Sequence, residues 1–420
     1  MRHVSRRKIP AGFAATAALA TALATALAAW VTASPAEAQG KATITFAGVT
    51  FSEAGRGDKL RAWVDKFNKS QDKIEVQTLG LPFATFANTM FTQMGGGSGP
   101  DLIRFDTIDY YAAVPAGRLL PFDDYIKDAD YKFSAPNDYL KANGKRYGVA
   151  FEISNYVMMY NPAVIKGKVP TTFDELLEVT KASTGGGNFG YAYRATMAER
   201  NGFWQDLCNF VFGFGGRWGD GTSLTLNSPK VVEGVAAYKR MYESGAIPKG
   251  ADAATYRRMF WENKVAIEVD NGGVAGIFNQ QAPTLVFQAA PSPFPTRAQG
   301  LILAPLTVNA NTKNKDAAFA FVKWALQPDN QKDLQDLLGG SSVATPVPRS
   351  ADDLAKKPWL KVFDDQTPNA VPQLVAGFEV RTPELQQIII EQVLKVLQGG
   401  MDPQKAMDEA QELGLAKMKK

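Results

Sequence analysis

The sequence predicts an α/β protein of two domains, and three observations carry the prediction. Short segments rich in β-branched residues alternate with segments whose apolar residues recur every three or four positions. That order builds sheets covered by helices. The chain has 420 residues, and the roughly 380 that follow a removable leader exceed one ordinary core. The glycine run GGGSG at 95–99 separates a helical pattern from a strand pattern.

The leader spans residues 1–38. Arg2, Arg6, Arg7 and Lys8 precede an Ala/Leu/Thr run from Ala11 to Val31, and Ala36 and Ala38 place a cleavage point before Gln39. The pair in SRRKIP resembles a twin-arginine signal, but Ile9-Pro10 replaces the usual apolar pair, so that route and the general one both stay open. No cysteine stands directly after the cleavage point to carry a lipid anchor, and no later segment is long and apolar enough to span a bilayer. The expected location is the periplasm.

The first strand is ATITFAG. In DKLRAWVDKFNKS, Leu60, Trp63, Val64 and Phe67 form a helical stripe, and KIEVQTL is the second strand. FATFANTMFTQM is a second helix, then come the glycines and the strand DLIRF. Phosphate cradles run strand, glycines, helix. Here the order is reversed, Pro100 removes an N–H, and no Lys-Ser/Thr pair follows, so the glycines are a helix stop.

Ligands of open α/β sheets bind beyond the carboxyl ends of parallel strands. Thr50 and Phe51 follow the first strand, Phe83 the second, and Asp106 and Thr107 the third. Such aromatic, hydroxyl and carboxylate groups fit a small polar ligand. The competing reading makes Asp106 the cap of the next helix.

Composition narrows the chemistry. The one histidine, His3, lies in the leader, and the one cysteine, Cys208, lies in the apolar stretch FWQDLCNFVFGF. Histidine-based triads, Cys-His dyads, histidine metal sites and an internal disulfide are therefore excluded. No cofactor is expected. The chain carries 46 basic and 42 acidic residues. Four of the former and one of the latter, Glu37, fall in the leader, so the rest is nearly neutral and has no footprint for nucleic acid or membrane.

Several segments in order resemble a known family: GGGSGPDLIRFDT, GRLLPFDDYI, NGKRYGVAFEISNYVMMYN, PTTFDELLEVTKA, FGFGGRWGDG, NSPKVVEGVAAYKRMYESGAIP and AIEVDNGGVAGI. They are similar to landmarks of the family 1 extracellular solute-binding proteins of ABC importers, the maltose-binding-protein-like group. Two landmarks have structural readings: Thr172 and Glu175 form a capping box, and Ser228 with Pro229 starts a helix.

The resemblance implies the two-lobed periplasmic binding protein fold, with the ligand cleft between lobes joined by crossing strands. Lobe one would comprise 39–148 and 284–327, and lobe two 149–283 and 328–420. Glu152 and Asn155, just past the first crossing, would lie on the cleft floor. KVAIEVD, NGG and VAGIF run strand, glycines, helix, so Asn271, Gly272 and Gly273 are expected to present an amide and free N–H groups to the ligand. Sugar-binding relatives often carry N-G-P-W there. Gly273 and Val274 stand in those last two places, so that stacking platform is missing. Trp204 and Trp218 are the alternative ring faces, each with a competing core reading, and Arg381 borders the cleft in relatives.

The implied function is to bind a carbohydrate or polyol by hinge closure and deliver it to the membrane permease of an ABC importer, as a monomer and without catalysis. The runner-up ligand is an anion such as a glycerol phosphate, with Arg104, Arg194, Arg200, Arg217 and Arg381 as charge donors. A ferric-ion site on Tyr110 and Tyr111, and a two-carboxylate hydrolase using Glu152, Asp106 and Glu268, are further alternatives.

Overall fold

The computed structural model describes residues 41–419. The expected leader and its cleavage point before Gln39 lie outside the described residues. Strand β1 (Ala42–Gly48), helix α1 (Gly57–Ser70), β2 (Ile74–Leu79), α2 (Phe83–Gly95), β3 (Leu102–Arg104) and α3 (Thr107–Ala113) open the fold. A small hairpin of β4 (Lys141–Ala142) and β5 (Lys145–Arg146) leads into the long strand β6 (Val149–Tyr160). Then follow α4 (Phe173–Ser183), β7 (Phe189–Ala192), α5 (Arg200–Gly213), α6 (Pro229–Glu243), α7 (Ala253–Trp261), β8 (Val265–Asn271) and α8 (Gly272–Gln281). The chain closes through β9 (Gln288–Ala290), β10 (Gln299–Val308), α9 (Lys315–Ala325), α10 (Pro328–Leu338) and α11 (Ala351–Lys356). Last come α12 (Trp359–Gln366), β11 (Ala370–Pro372), α13 (Thr382–Gly399) and α14 (Pro403–Met418).

Strands run in the order β2-β1-β3-β10-β6-β8-β7, with β11 beside β10 and β9 beside β6. The sheet is mixed. β1 pairs in parallel with β2 and β3, and β7 with β8. Around the two strands that pass between lobes most pairing is antiparallel, β10 with β3 and β6, and β6 with β8 and β9, while β11 lies parallel to β10.

The local signals act as their chemistry requires. Leu60, Trp63, Val64 and Phe67 are the buried stripe of α1, and Trp63 and Phe67 meet the rings of Phe321 and Trp324 on α9. The glycine run ends α2, with Gly97 at φ +77° and Gly99 at φ +104°, conformations that a Cβ resists. Thr172 and Glu175 exchange both capping bonds at the start of α4. Ser228 occupies the cap of α6, but its hydroxyl makes no cap bond. Cys208 is fully buried and accepts from Trp218 Nε1 at 3.2 Å.

Strand β6 serves both halves of the sheet. Residues Val149–Asn155 of β6 pair with β10, and Tyr156–Tyr160 pair with β8. The first crossing thus lies inside one strand, after Asn155. Helix α10 packs on α1 of the first lobe, where Trp63 Nε1 donates to the Asn330 carbonyl (3.1 Å) and Lys66 pairs with Asp333 (2.6 Å). The chain passes between lobes only after it, where Ser342 pairs with Ile153 of β6.

Candidate functional site

A cleft of about 370 Å³ lies between the two halves of the sheet. Its first-lobe wall comes from the turn after β1 (Val49, Ser52, Glu53, Arg56), the start of α2 (Pro82–Ala84), the end of β3 (Arg104, Asp106) and Glu152 on β6. The second-lobe wall comes from Arg194, Glu199, Gln205, one face of α7 and the start of α8. A more open groove of about 710 Å³ beside Tyr125 and residues 312–317 takes its walls from the first lobe alone.

Glu152 is the centre of a buried ion-pair network. Its Oε1 accepts from Arg56 Nη2 (2.8 Å) and Ser341 Oγ (2.8 Å), and its Oε2 accepts from Arg104 Nη2 (2.9 Å). Arg56 also holds Glu53 (2.9 Å), and Arg104 holds Asp106 (2.9 Å). Burial opposes ionisation of Glu152, but the two guanidiniums outweigh it and hold the carboxyl down at about 2. For Asp106 burial wins over Arg104, with Glu152 and Glu53 adding to it, and the carboxyl is pushed above its ordinary range.

Two polar contacts join α3 and its cap to α5 across the cleft. Asn201 Nδ2 donates to both oxygens of Asp109 (3.1 and 3.2 Å), and Gln205 Nε2 lies 3.4 Å from Asp106 Oδ2. Burial, then the neighbouring Asp106, pushes the Asp109 carboxyl up to about 7 against the pull of Asn201. On the far wall, Arg194 forms a two-bond pair with Asp206 (2.8 and 2.7 Å), and Arg257 with Asp270 (2.8 and 3.1 Å).

Of the residues singled out from the sequence, Phe83, Asp106, Glu152 and Asn271 line the cleft together. Asp106 precedes α3 but makes no capping bond. The others lie elsewhere. Thr50 and Phe51 are buried under the first turn, Phe51 against Phe46. Thr107 donates to the Leu303 carbonyl (2.5 Å). Asn155 is an odd number of residues from Glu152, so it faces the other side of β6. There its amide donates to the Phe363 carbonyl and Thr367 Oγ1 (both 2.8 Å).

The two expected ring faces are core residues. Trp204 is fully buried, stacks on Trp218 (centroids 5.1 Å apart) and donates to the Gln373 carbonyl (2.9 Å). Arg381 pairs with Glu384 and donates to the Lys417 carbonyl (2.9 Å), away from the cleft. The glycine amides are not free either. Gly272 N donates to Ser154 Oγ (3.0 Å), and Gly273 N and Val274 N donate to Asn271 Oδ1 (3.0 and 3.3 Å). Gly272 instead permits contact with the last crossing segment, since a Cβ there would stand 2.7 Å from the Gly340 carbonyl.

The alternative chemistries lose their constellations. Tyr110 and Tyr111 donate to the Leu140 and Tyr139 carbonyls (2.7 and 2.5 Å), and burial pushes both phenols up, so they are no ferric ligands. Glu268 is fully buried on β8, is raised well above its ordinary range by burial and then Asp270, and does not line the cleft with Asp106 and Glu152. Of the arginines considered for an anion, Arg104 and Arg194 line the cleft, and Arg200 lines a smaller adjoining groove.

The sequence reading missed Arg56, Glu53, Glu199, Gln205, Arg257 and Trp261. A signal existed for two of them. Ala253, Tyr256 and Phe260 form the buried stripe of α7, and Ala254, Arg257 and Trp261 form a second stripe at the same helical spacing, which faces the cleft. Trp261 also packs against Phe278 (centroids 6.2 Å apart).

Comparison with known proteins agrees with this architecture. A family model described as bacterial extracellular solute-binding protein matches residues 51–332. The chain is 29% identical over 253 residues to the maltotriose-binding protein of Pyrococcus abyssi (strain GE5 / Orsay), over 56% of this chain and 53% of that one. It thus spans about half the length of that curated relative. The fold matches an ABC transporter solute-binding protein from Thermotoga lettingae TMO bound with α-D-tagatose (TM-score 0.77, 20% identity, 89% of this chain and 98% of that one). It also matches the GacH receptor of Streptomyces glaucescens GLA.O, studied with acarbose (TM-score 0.76, 21% identity, 89% and 97%). At such identities the structural likeness speaks for the fold. With a family model that spans most of its length and a two-walled cleft on crossing strands, the chain belongs to the bacterial extracellular solute-binding protein family.

Proposed function

We propose that this protein is the periplasmic solute-binding component of an ABC importer, and that it takes a polyhydroxylated solute, a carbohydrate or polyol. It closes its two lobes on the solute and hands it to the membrane permease. The observation that carries the reading is the wall chemistry. Every cleft guanidinium already has a carboxylate partner, whereas Phe83 and Trp261 offer ring surface beside carboxylate acceptors. Rings suit the C–H faces of sugars, and carboxylates suit their hydroxyls. An anion would find no unengaged arginine there, so the glycerol phosphate alternative is the weaker one. The maltotriose, tagatose and acarbose of the relatives point the same way. No enzymatic step is proposed.

The test is calorimetric titration against sugars, alditols and glycerol phosphates, with small-angle scattering of the free and saturated protein. The reading expects a sugar or alditol to bind and the radius of gyration to fall. Binding of glycerol phosphate alone, or binding without any contraction, would overturn it.

A further inference from the structure

We propose that the solute for which this cleft is built carries a protonated amine on its polyhydroxylated frame, as in an amino sugar or an aminated polyol. The inference rests on the solute-binding reading above and narrows its substrate class. Among the described residues four guanidiniums and five carboxylates line the cleft, and no lysine does. Two of the guanidiniums are consumed behind the wall, Arg194 by Asp206 and Arg257 by Asp270. Arg56 and Arg104 are consumed by Glu53, Asp106 and Glu152.

Two carboxylates remain, both on the second lobe. Glu199 and Asp252 form no ion pair among the described residues. Asp252 spends Oδ1 on capping α7 at Thr255 N (2.8 Å). Glu199 is the sharper case. It is 4% exposed and lines the cleft. Its Oε2 accepts from Ala253 N (2.9 Å), and its Oε1 has no hydrogen-bond partner among the described residues. Burial, against the pull of Arg194, pushes this carboxyl up, as burial does for Asp106 on the opposite wall.

Glu199 is buried without a cation of its own, which is costly unless a cation arrives, and the exposed Asp252 adds a second negative charge to the same wall. Hydroxyl groups satisfy their lone pairs but bring no charge. An ammonium supplies the charge and three donors. Trp261, on the cleft face of the helix that Asp252 caps, adds a ring to which a cation is attracted.

Matched pairs of solutes test this by calorimetry at neutral pH. Suitable pairs are D-glucosamine with D-glucose, D-galactosamine with D-galactose, and 1-amino-1-deoxy-D-glucitol with D-glucitol. The amine of at least one pair is expected to bind roughly tenfold tighter than its hydroxyl twin. High salt should shrink that advantage. Glu199→Gln, whose amide oxygen still accepts from Ala253 N, should cut it to about threefold or less, and Asp252→Asn, which keeps the cap, should reduce it as well. Twins of equal affinity, or a tighter hydroxyl twin, overturn the amine inference and leave the polyol reading standing. Failure of every twin to bind overturns both.

Discussion

Replacing Glu152 by glutamine removes one negative charge from beneath two buried guanidiniums. The cost follows from the network. The carboxyl is held at about 2 against an ordinary 4.5, which corresponds to about 3 kcal/mol at 1.36 kcal/mol per pH unit. Loss of one partner from a buried pair costs about 3–5 kcal/mol, and the partners retained here, Glu53 on Arg56 and Asp106 on Arg104, keep the expectation at the lower end. Glu152→Gln should therefore unfold in urea with about 3 kcal/mol less stability at pH 7. The sign with pH is fixed. The folded value is depressed, so the contribution is whole above about 4.5 and is lost as pH falls through about 2. Wild type should lose this part of its stability on acidification, and the variant should lack that loss. A variant within about 0.5 kcal/mol of wild type at pH 7, the range of an ordinary surface change, would refute the network as a stabilising element.

Trp261→Ala should weaken solute binding by roughly ten- to a hundredfold in calorimetry, whereas Trp204→Ala should cost about 3–5 kcal/mol in denaturant because it empties a core position. Equal stability losses for the two would undo the division into cleft and core tryptophans. The Asp109 carboxyl lies above its ordinary 3.8, at about 7, so its contribution is whole below about 3.8 and is lost as pH rises through about 7. Thermal melts from pH 4 to 8 should fall for wild type and flatten for Asp109→Asn, and parallel profiles would contradict this. Gly272→Ala would press a methyl against the Gly340 backbone at 2.7 Å. A loss of about 1–3 kcal/mol is expected in urea unfolding, and an unchanged midpoint would mean that the last crossing yields freely.

What the sequence disclosed was mostly local. The stripe of α1, the stop at Gly97 and Gly99, and the Thr172–Glu175 box each depend on neighbours a few residues apart. Asp106 was reachable because it lies just past the end of a strand. The role of Glu152 was not, because its arginine partners lie 96 and 48 residues away and no pattern links them. Other misses had legible causes. α5 is buried on nearly every side, and a helix apolar all round is a core helix, which argues against Trp204 as a ligand platform. α7 carries two stripes where the core needs one.

The division of β6 has a consequence for how the chain assembles. Residues 149–155 and 156–160 serve different halves of the sheet, so neither lobe can be cut out whole. β3 acquires its partner β10 only when the chain has grown about two hundred residues further. During synthesis β3 therefore waits longer for β10 than β6 waits for β8. Late, distant pairings slow folding and leave edges exposed to other chains. The edge at β3 is laid down early and covered late, and a chaperone that shields it should raise the folding yield more than one that shields β8.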